Sequence, residues 1–213
     1  MKRNLQKLLV VFATLFISFS LFAQQFGRPL NEGFENGIPS DWTQEVVSGD
    51  LNWIVESGDL TYPKGAYSGT HRVAMRGVSG VTTNACVRLV SPVMDLSKIY
   101  RPLLIFSHAQ SHWTKDVDKL RVLYRLSQDA DWVELKVYDE QITFWQLDTL
   151  SLVGASKTYQ IAFEATDRLG RGVVIDNVEV RSTPRCDTPY ALMISEMTSK
   201  SAVVNWLGAF DAE

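Results

Sequence analysis

The segment Gly170-Arg171-Gly172-Val173-Val174-Ile175-Asp176-Asn177-Val178-Glu179-Val180 carries the pattern of the chain in its clearest form. Its two glycines punctuate a turn, and the run behind them is rich in the β-branched residues that pack well on a pleated surface. Side chains alternate along a strand, so Val174, Asp176, Val178 and Val180 are expected on one face, and that face is expected to be buried. Asp176 is then an anomaly. A carboxylate in a buried aliphatic series is expensive unless an arginine, a set of backbone N–H donors or a cation meets it.

Moving outward, the same grammar recurs from Asn52 to Val180 as short apolar runs separated by turn residues. The runs are Asn52 to Glu56, Arg72 to Arg76, Cys86 to Val90, Leu103 to His108 and Leu120 to Leu126. They continue with Trp132 to Val137, Gln146 to Leu152, Tyr159 to Ala165 and Val173 to Val180. In Leu120 to Leu126 the apolar side chains alternate with Arg121 and Arg125; Tyr159, Ile161 and Phe163 oppose Gln160 and Glu164 in the same way. No window has a helical period, so nothing supplies the crossovers of a parallel sheet. The expected fold class is all-β, an antiparallel jelly-roll-like β-sandwich.

The ends of the chain differ from this middle. Lys2, Arg3 and Lys7 precede the apolar run Leu8 to Phe22, and Ala23 is a small residue before Gln24, the layout of a cleaved signal peptide over residues 1–23. That run is shorter than the roughly 20 residues a membrane span requires, so no span is expected after cleavage. The first domain is expected over residues 26–182, followed by a linker at 183–187. Residues 188–213 hold two further strand-like runs, Ala191 to Ile194 and Ala202 to Trp206. Two strands with nothing behind them are marginal, so they are expected to be the truncated start of a second β-sandwich, with more of the polypeptide beyond Glu213.

The 213 residues are 46% hydrophobic with a net charge of −3, which offers no basic surface for nucleic acid. Cys86 and Cys186 are too few for a disulfide framework, and their pairing would require the linker to fold back.

Two stretches resemble known families. Cys186-x-x-Pro189-x-x-Leu192 with Ser201-Ala202-Val203-Val204-Asn205-Trp206 looks like the opening of a fibronectin type III domain, Trp206 being its core tryptophan. The larger part resembles the MAM-like, cleaved-adhesin or choice-of-anchor sandwich domains of secreted bacterial proteins. Gly33-Phe34-Glu35, Pro39 and Trp42, Ser68-Gly69, Leu89-Val90-Ser91-Pro92 and Asp95-Leu96 carry it. Pro102-Leu103, Phe106, Asp118-x-Leu120-x-Val122, Trp132-x-x-Leu135 and the closing Gly172 to Val178 complete it. The resemblance implies a non-catalytic adhesion module, secreted or at the bacterial cell surface, that recognises a host or matrix protein or a glycan. The alternative it leaves open is an accessory domain of a secreted peptidase or glycoside hydrolase.

Few residues invite a chemical role. His108 and His112 have a metal-ligand spacing only on a helix, and in a strand they are expected to be half-exposed polar side chains. Asp116, Asp118, Asp129 and Asp131 look like loop and strand-end residues rather than a hydrolytic pair, and no nucleophile elbow or phosphate loop occurs. Trp113 and Trp145, beside polar loop residues, are the tryptophans expected to be exposed and the candidates for stacking on sugars. The metal candidates are Glu35 and Asp176. Adjacent first and last strands would bring these carboxylates together, where calcium suits two oxygen-donor groups and loop carbonyls. The family resemblance implies structural calcium as well. A metal-free alternative is an Asp176 carboxylate accepting backbone N–H bonds beside a bulge.

Overall fold

The computed structural model describes residues 28–57, 62–77, 84–183 and 190–207. The expected signal segment, most of the linker and Cys186 lie outside these residues. Two antiparallel sheets face each other. The six-stranded sheet contains β1 (Leu30–Glu32), β3 (Trp53–Ser57), β4 (His71–Met75), β6 (Pro102–Gln110), β9 (Ile142–Ser151) and β11 (Val173–Ser182). The five-stranded sheet contains β2 (Thr43–Ser48), β5 (Cys86–Val90), β7 (Lys119–Arg125), β8 (Val133–Tyr138) and β10 (Gln160–Thr166). Spatial orders are β3-β4-β11-β6-β9, with β1 added on β11, and β2-β5-β10-β7-β8. Only β3–β4 and β7–β8 stay within one sheet; the other consecutive strands up to β11 cross between sheets, the wrapping of a jelly roll.

Alternation fills the space between the sheets. Trp53, Val73, Met75, Leu104, Phe106 and Ile175 from one meet Val87, Leu89, Leu120, Val122, Ile161 and Phe163 from the other in one continuous core. The rings of Phe106 and Phe163 meet edge to face across the interface at 5.1 Å. Trp53 ties the two layers together, donating its indole N–H to the Val87 carbonyl at 3.3 Å.

The outer face of the five-stranded sheet carries an ion-pair row. Glu45, Arg88, Glu164 and Arg121 sit opposite one another on β2, β5, β10 and β7. Glu164 is buried between the two arginines, at 2.8 Å from Arg88 Nε and 2.7 Å from Arg121 Nε. Trp132 packs beside this row on Val90, Leu123 and Ala162, with the Arg125 guanidinium 4.3 Å from its ring.

The strands match the expected runs closely, with two additions and one extension. β1 and β2 are strands that the composition of Phe26 to Trp42 and the polar Thr43-Gln44-Glu45 did not announce. β9 begins at Ile142 rather than Gln146. β12 (Tyr190–Ser195) and β13 (Val203–Leu207) form an antiparallel hairpin of their own, where two strands were expected.

One expectation fails in an informative way. Asp176 does not share a face with Val178 and Val180. The pairing of β11 with β6 shifts register between Asp176 and Glu179, and Asn177 adopts a positive φ of 55°. This bulge reverses the alternation: Val173 and Ile175 before it and Val178 and Val180 after it all enter the main core. Val174 lies on the other face, in a small cluster with Ala74 and Ala109, and Asp176 follows it there.

Candidate functional site

The bulge sits at a seam. Along one edge of β11, β4 pairs with Val173 to Ile175 and β1 pairs with Val178 to Val180, leaving Asp176 at the junction. The side chain is nonetheless fully buried, because the loop from Tyr62 to Thr70 closes over it. Asp176 Oδ2 accepts the N–H groups of Tyr67 at 2.9 Å and Ser68 at 3.1 Å, and Oδ1 accepts that of Asn177 at 2.6 Å. Burial pushes its pKa up, these donors pull it back, and the nearby Glu35 pushes it up again.

Glu35, on the turn after β1, is exposed and held by the next part of the same loop. It accepts the His71 N–H and Thr70 N–H at 3.0 Å and the Thr70 hydroxyl at 2.9 Å. Chiefly the His71 and Thr70 amides hold its carboxyl down to about 2. A Cβ on Gly69, whose φ is +66°, would lie 2.3 Å from Glu35 Oε1, so a larger residue would strain the backbone and displace this carboxylate. The expected pair is therefore brought together, as β1 beside β11 requires.

The donor set is hard oxygen, which suits calcium, and the two carboxylates repel. The backbone N–H groups also make the metal-free arrangement complete in itself. The His71 ring lies beside the pair, its Nδ1 3.6 Å from Glu35 Oε2, but among the described residues no group of three or more histidine, cysteine or carboxylate side chains forms a metal site.

The cation nearest this seam is one the sequence did not single out. Arg72 on β4 is fully buried and interacts with the Asp176 charge. Its Nε pairs with Glu56 at 2.8 Å, and one amino group donates to the carbonyls of Pro63 and Gly65 at 2.7 Å. The arginines that flank Asp176 in sequence, Arg171 and Arg181, lie elsewhere: Arg181 is beside Glu179, and Arg171 is stacked on aromatic rings.

The two candidate tryptophans part company. Trp145 is half-buried rather than open: it donates its indole N–H to the Gly65 carbonyl at 3.2 Å and meets the Tyr67 ring edge to face at 6.0 Å. It pins the loop that covers Asp176. Trp113 is 42% exposed, on a tight turn whose ends, Trp113 and Asp116, exchange two backbone hydrogen bonds of 2.9 Å. The Arg171 guanidinium lies 4.4 Å from the Trp113 ring and 3.8 Å from that of Tyr62, itself 40% exposed. Tyr62 and Arg171 were missed because nothing local links three turns so far apart in sequence.

The remaining polar groups are structural. Asp118 is not a loop carboxylate in water: it is fully buried and accepts the N–H groups of Arg168, Gly170 and Gly172. His108 is also not half-exposed. It is fully buried on the core side of β6, neither ring nitrogen has a hydrogen-bond partner, and burial lowers its pKa to about 4. Its Nε2 is 3.9 Å from Asp148, which accepts the Tyr138 hydroxyl at 2.5 Å and lines a polar pocket of about 440 Å³ at the β8–β9 turn.

Residues 33–187 match the family model of the MAM domain, meprin/A5/mu. The chain belongs to the MAM domain family. Among solved structures, this MAM domain is similar to the K1 cleaved adhesin domain of Lys-gingipain from Porphyromonas gingivalis W83, at 21% identity and a TM-score of 0.57, covering 73% of this chain and 98% of that one. It is also similar to TmCBM61, solved in complex with β-1,4-galactotriose (13% identity, TM-score 0.53, 71% and 95% covered). The C-terminal family 22 carbohydrate-binding module of Clostridium thermocellum Xyn10B superposes at 9% identity and a TM-score of 0.50, with 73% and 93% covered. These likenesses establish the sandwich architecture. No curated protein matches the chain. Among the described residues of the MAM domain, no helix is long and apolar enough to cross a membrane.

Proposed function

We propose that this MAM domain is a non-catalytic binding module of a secreted or cell-surface protein and that its ligand is a glycan. The exposed Trp113 ring beside Tyr62 carries the reading, because half-open aromatic faces are what sugar C–H surfaces stack on. Support comes from the shared architecture with a cleaved adhesin domain and with a module seen holding β-1,4-galactotriose. A host or matrix protein as ligand is the alternative within the same class. An accessory role beside a peptidase or glycoside hydrolase makes the same binding claim and differs only in what is attached.

The test compares Trp113→Ala with Trp145→Ala in binding to a panel of soluble polysaccharides. Trp113→Ala is expected to fold normally and to lose about tenfold in affinity, equivalent to about 1.4 kcal/mol. Trp145→Ala is expected to melt earlier, since it removes a contact that holds the Tyr62–Thr70 loop. Unchanged glycan binding in a folded Trp113→Ala protein contradicts the reading.

The second part of the proposal is structural calcium held by Glu35 and Asp176. It would add positive charge between two carboxylates that raise each other's cost of ionisation, beyond what Arg72 supplies, and so stabilise the junction of β1, β4 and β11 by mass action. Thermal melts with excess calcium and with chelator test it. The wild type is expected to melt higher with calcium, and Asp176→Asn to respond much less. Identical wild-type melting in both conditions, with no calcium copurifying, contradicts it.

A further inference from the structure

The guanidinium between Tyr62 and Trp113 differs from the other well-placed arginines. Arg72, Arg76, Arg88, Arg121 and Arg125 each pair with a glutamate. Arg171 has no carboxylate partner among the described residues, yet it is held in place. Its backbone N–H donates to the Ser111 carbonyl at 3.0 Å, its Nε donates to the His112 carbonyl at 3.2 Å, and its guanidinium carbon lies over the Tyr62 and Trp113 rings at 3.8 and 4.4 Å. The two terminal amino groups have no hydrogen-bond acceptor among the described residues. A pre-positioned fork of this kind suits one carboxylate, with little ordering entropy left to lose on binding.

The surroundings favour the same charge. Lys64 and Lys115, two residues from Tyr62 and Trp113, are exposed and make no ion pair among the described residues, and Arg168 is exposed as well. Of the nearby acids, Glu56 pairs with Arg72 and Arg76, Asp118 and the neighbouring Asp167 are buried and accept backbone N–H groups, and Asp116 is half-buried in the turn. In a chain of net charge −3 this is a local excess of positive charge.

We propose that Arg171, Trp113 and Tyr62 form a subsite for an acidic polysaccharide: the Arg171 amino groups pair with the carboxylate of a uronic acid residue while the two rings pack against its pyranose. The proposal rests on the glycan-binding reading above and names its ligand class.

The experiment measures binding of the full chain to soluble polygalacturonate and to its carboxyl-reduced counterpart, by calorimetry. The acidic polymer is expected to bind about tenfold or more tightly than the reduced one, and Arg171→Gln to bring the two to the same level. Arg171→Lys restores only part of the difference, because an ammonium lacks the fork and the planar stacking. Lys115→Gln alters mainly the salt dependence. Arg171→Gln binding the acidic polymer as wild type does, or equal affinity of the wild type for both polymers, overturns the proposal and leaves glycan binding standing. An acidic peptide bound through Arg171 in place of either polymer overturns the saccharide assignment. If no polysaccharide, acidic or neutral, binds, the glycan reading falls and the proposal with it. Should Arg171→Gln fail to fold, Trp113→Ala decides by the same comparison: retention of the preference for the acidic polymer at undiminished affinity overturns the proposal.

Discussion

His108 shows how a single side chain ties stability to pH. The imidazole is enclosed among Phe106, Tyr138 and the core side of β6, and burial lowers its pKa from 6.5 to about 4. Above about 6.5 it is neutral in both folded and unfolded chains and has no pH-dependent effect. As pH falls towards 4, the unfolded chain takes up a proton that the native protein refuses, so stability is lost across that window, by roughly 3 kcal/mol at most. Urea titrations at stepped pH check this: wild type is expected to weaken through the window, and His108→Leu to show a flatter dependence. Gly69 is a second residue-scale constraint. Gly69→Ala meets both a positive φ and the Glu35 carboxylate, and is expected to cost about 1–2 kcal/mol in the same assay. Neither effect was legible in advance. The alternation that places Leu104 and Phe106 in the core also places His108 there, but polarity argued the other way.

At the scale of elements, the sequence was a good guide wherever alternation ran unbroken, as in β7 and β10. It misled at β11 because a bulge adds a residue without leaving a periodic trace: the run Val173 to Val180 has the same composition with or without it. The signal available was Asn177, a residue that tolerates positive φ, in the middle of β-branched neighbours. Asn177→Gly is therefore expected to change stability by only a few tenths of a kcal/mol, and Asn177→Val to cost about 1–2 kcal/mol, read from chemical denaturation. Comparable stability of the two variants would show that the positive φ is not needed. That Glu35 lies near enough to Asp176 for the two charges to interact was legible because it depended on β1 lying beside β11. Arg72 was not, since its burial depends on the Tyr62–Thr70 loop folding back over β4.

The whole molecule separates stabilising polar groups from exposed ones. Glu164, buried between Arg88 and Arg121, belongs to the first kind. Glu164→Gln leaves two arginines without their shared counter-charge and is expected to cost about 2–4 kcal/mol by denaturation. A loss below about half a kcal/mol would mean that the row is solvated and energetically idle. The second kind is the cluster of Tyr62, Trp113 and Arg171, assembled from three loops at one site by the sandwich that connects them. One member, Trp113, was legible as an exposed ring in a polar loop; its companions required the fold. A binding role for the domain requires this surface to be the one that meets a ligand. Amide and indole N–H chemical shifts, followed while polygalacturonate oligomers and neutral galactan oligomers are titrated into the chain, test that most directly. Saturable shifts centred on the Trp113 indole, Arg171 and Tyr62, larger with the acidic oligomers, are expected. Shifts centred instead on Trp132 and the ion-pair row of the five-stranded sheet, or no saturable shifts with either ligand, would contradict this.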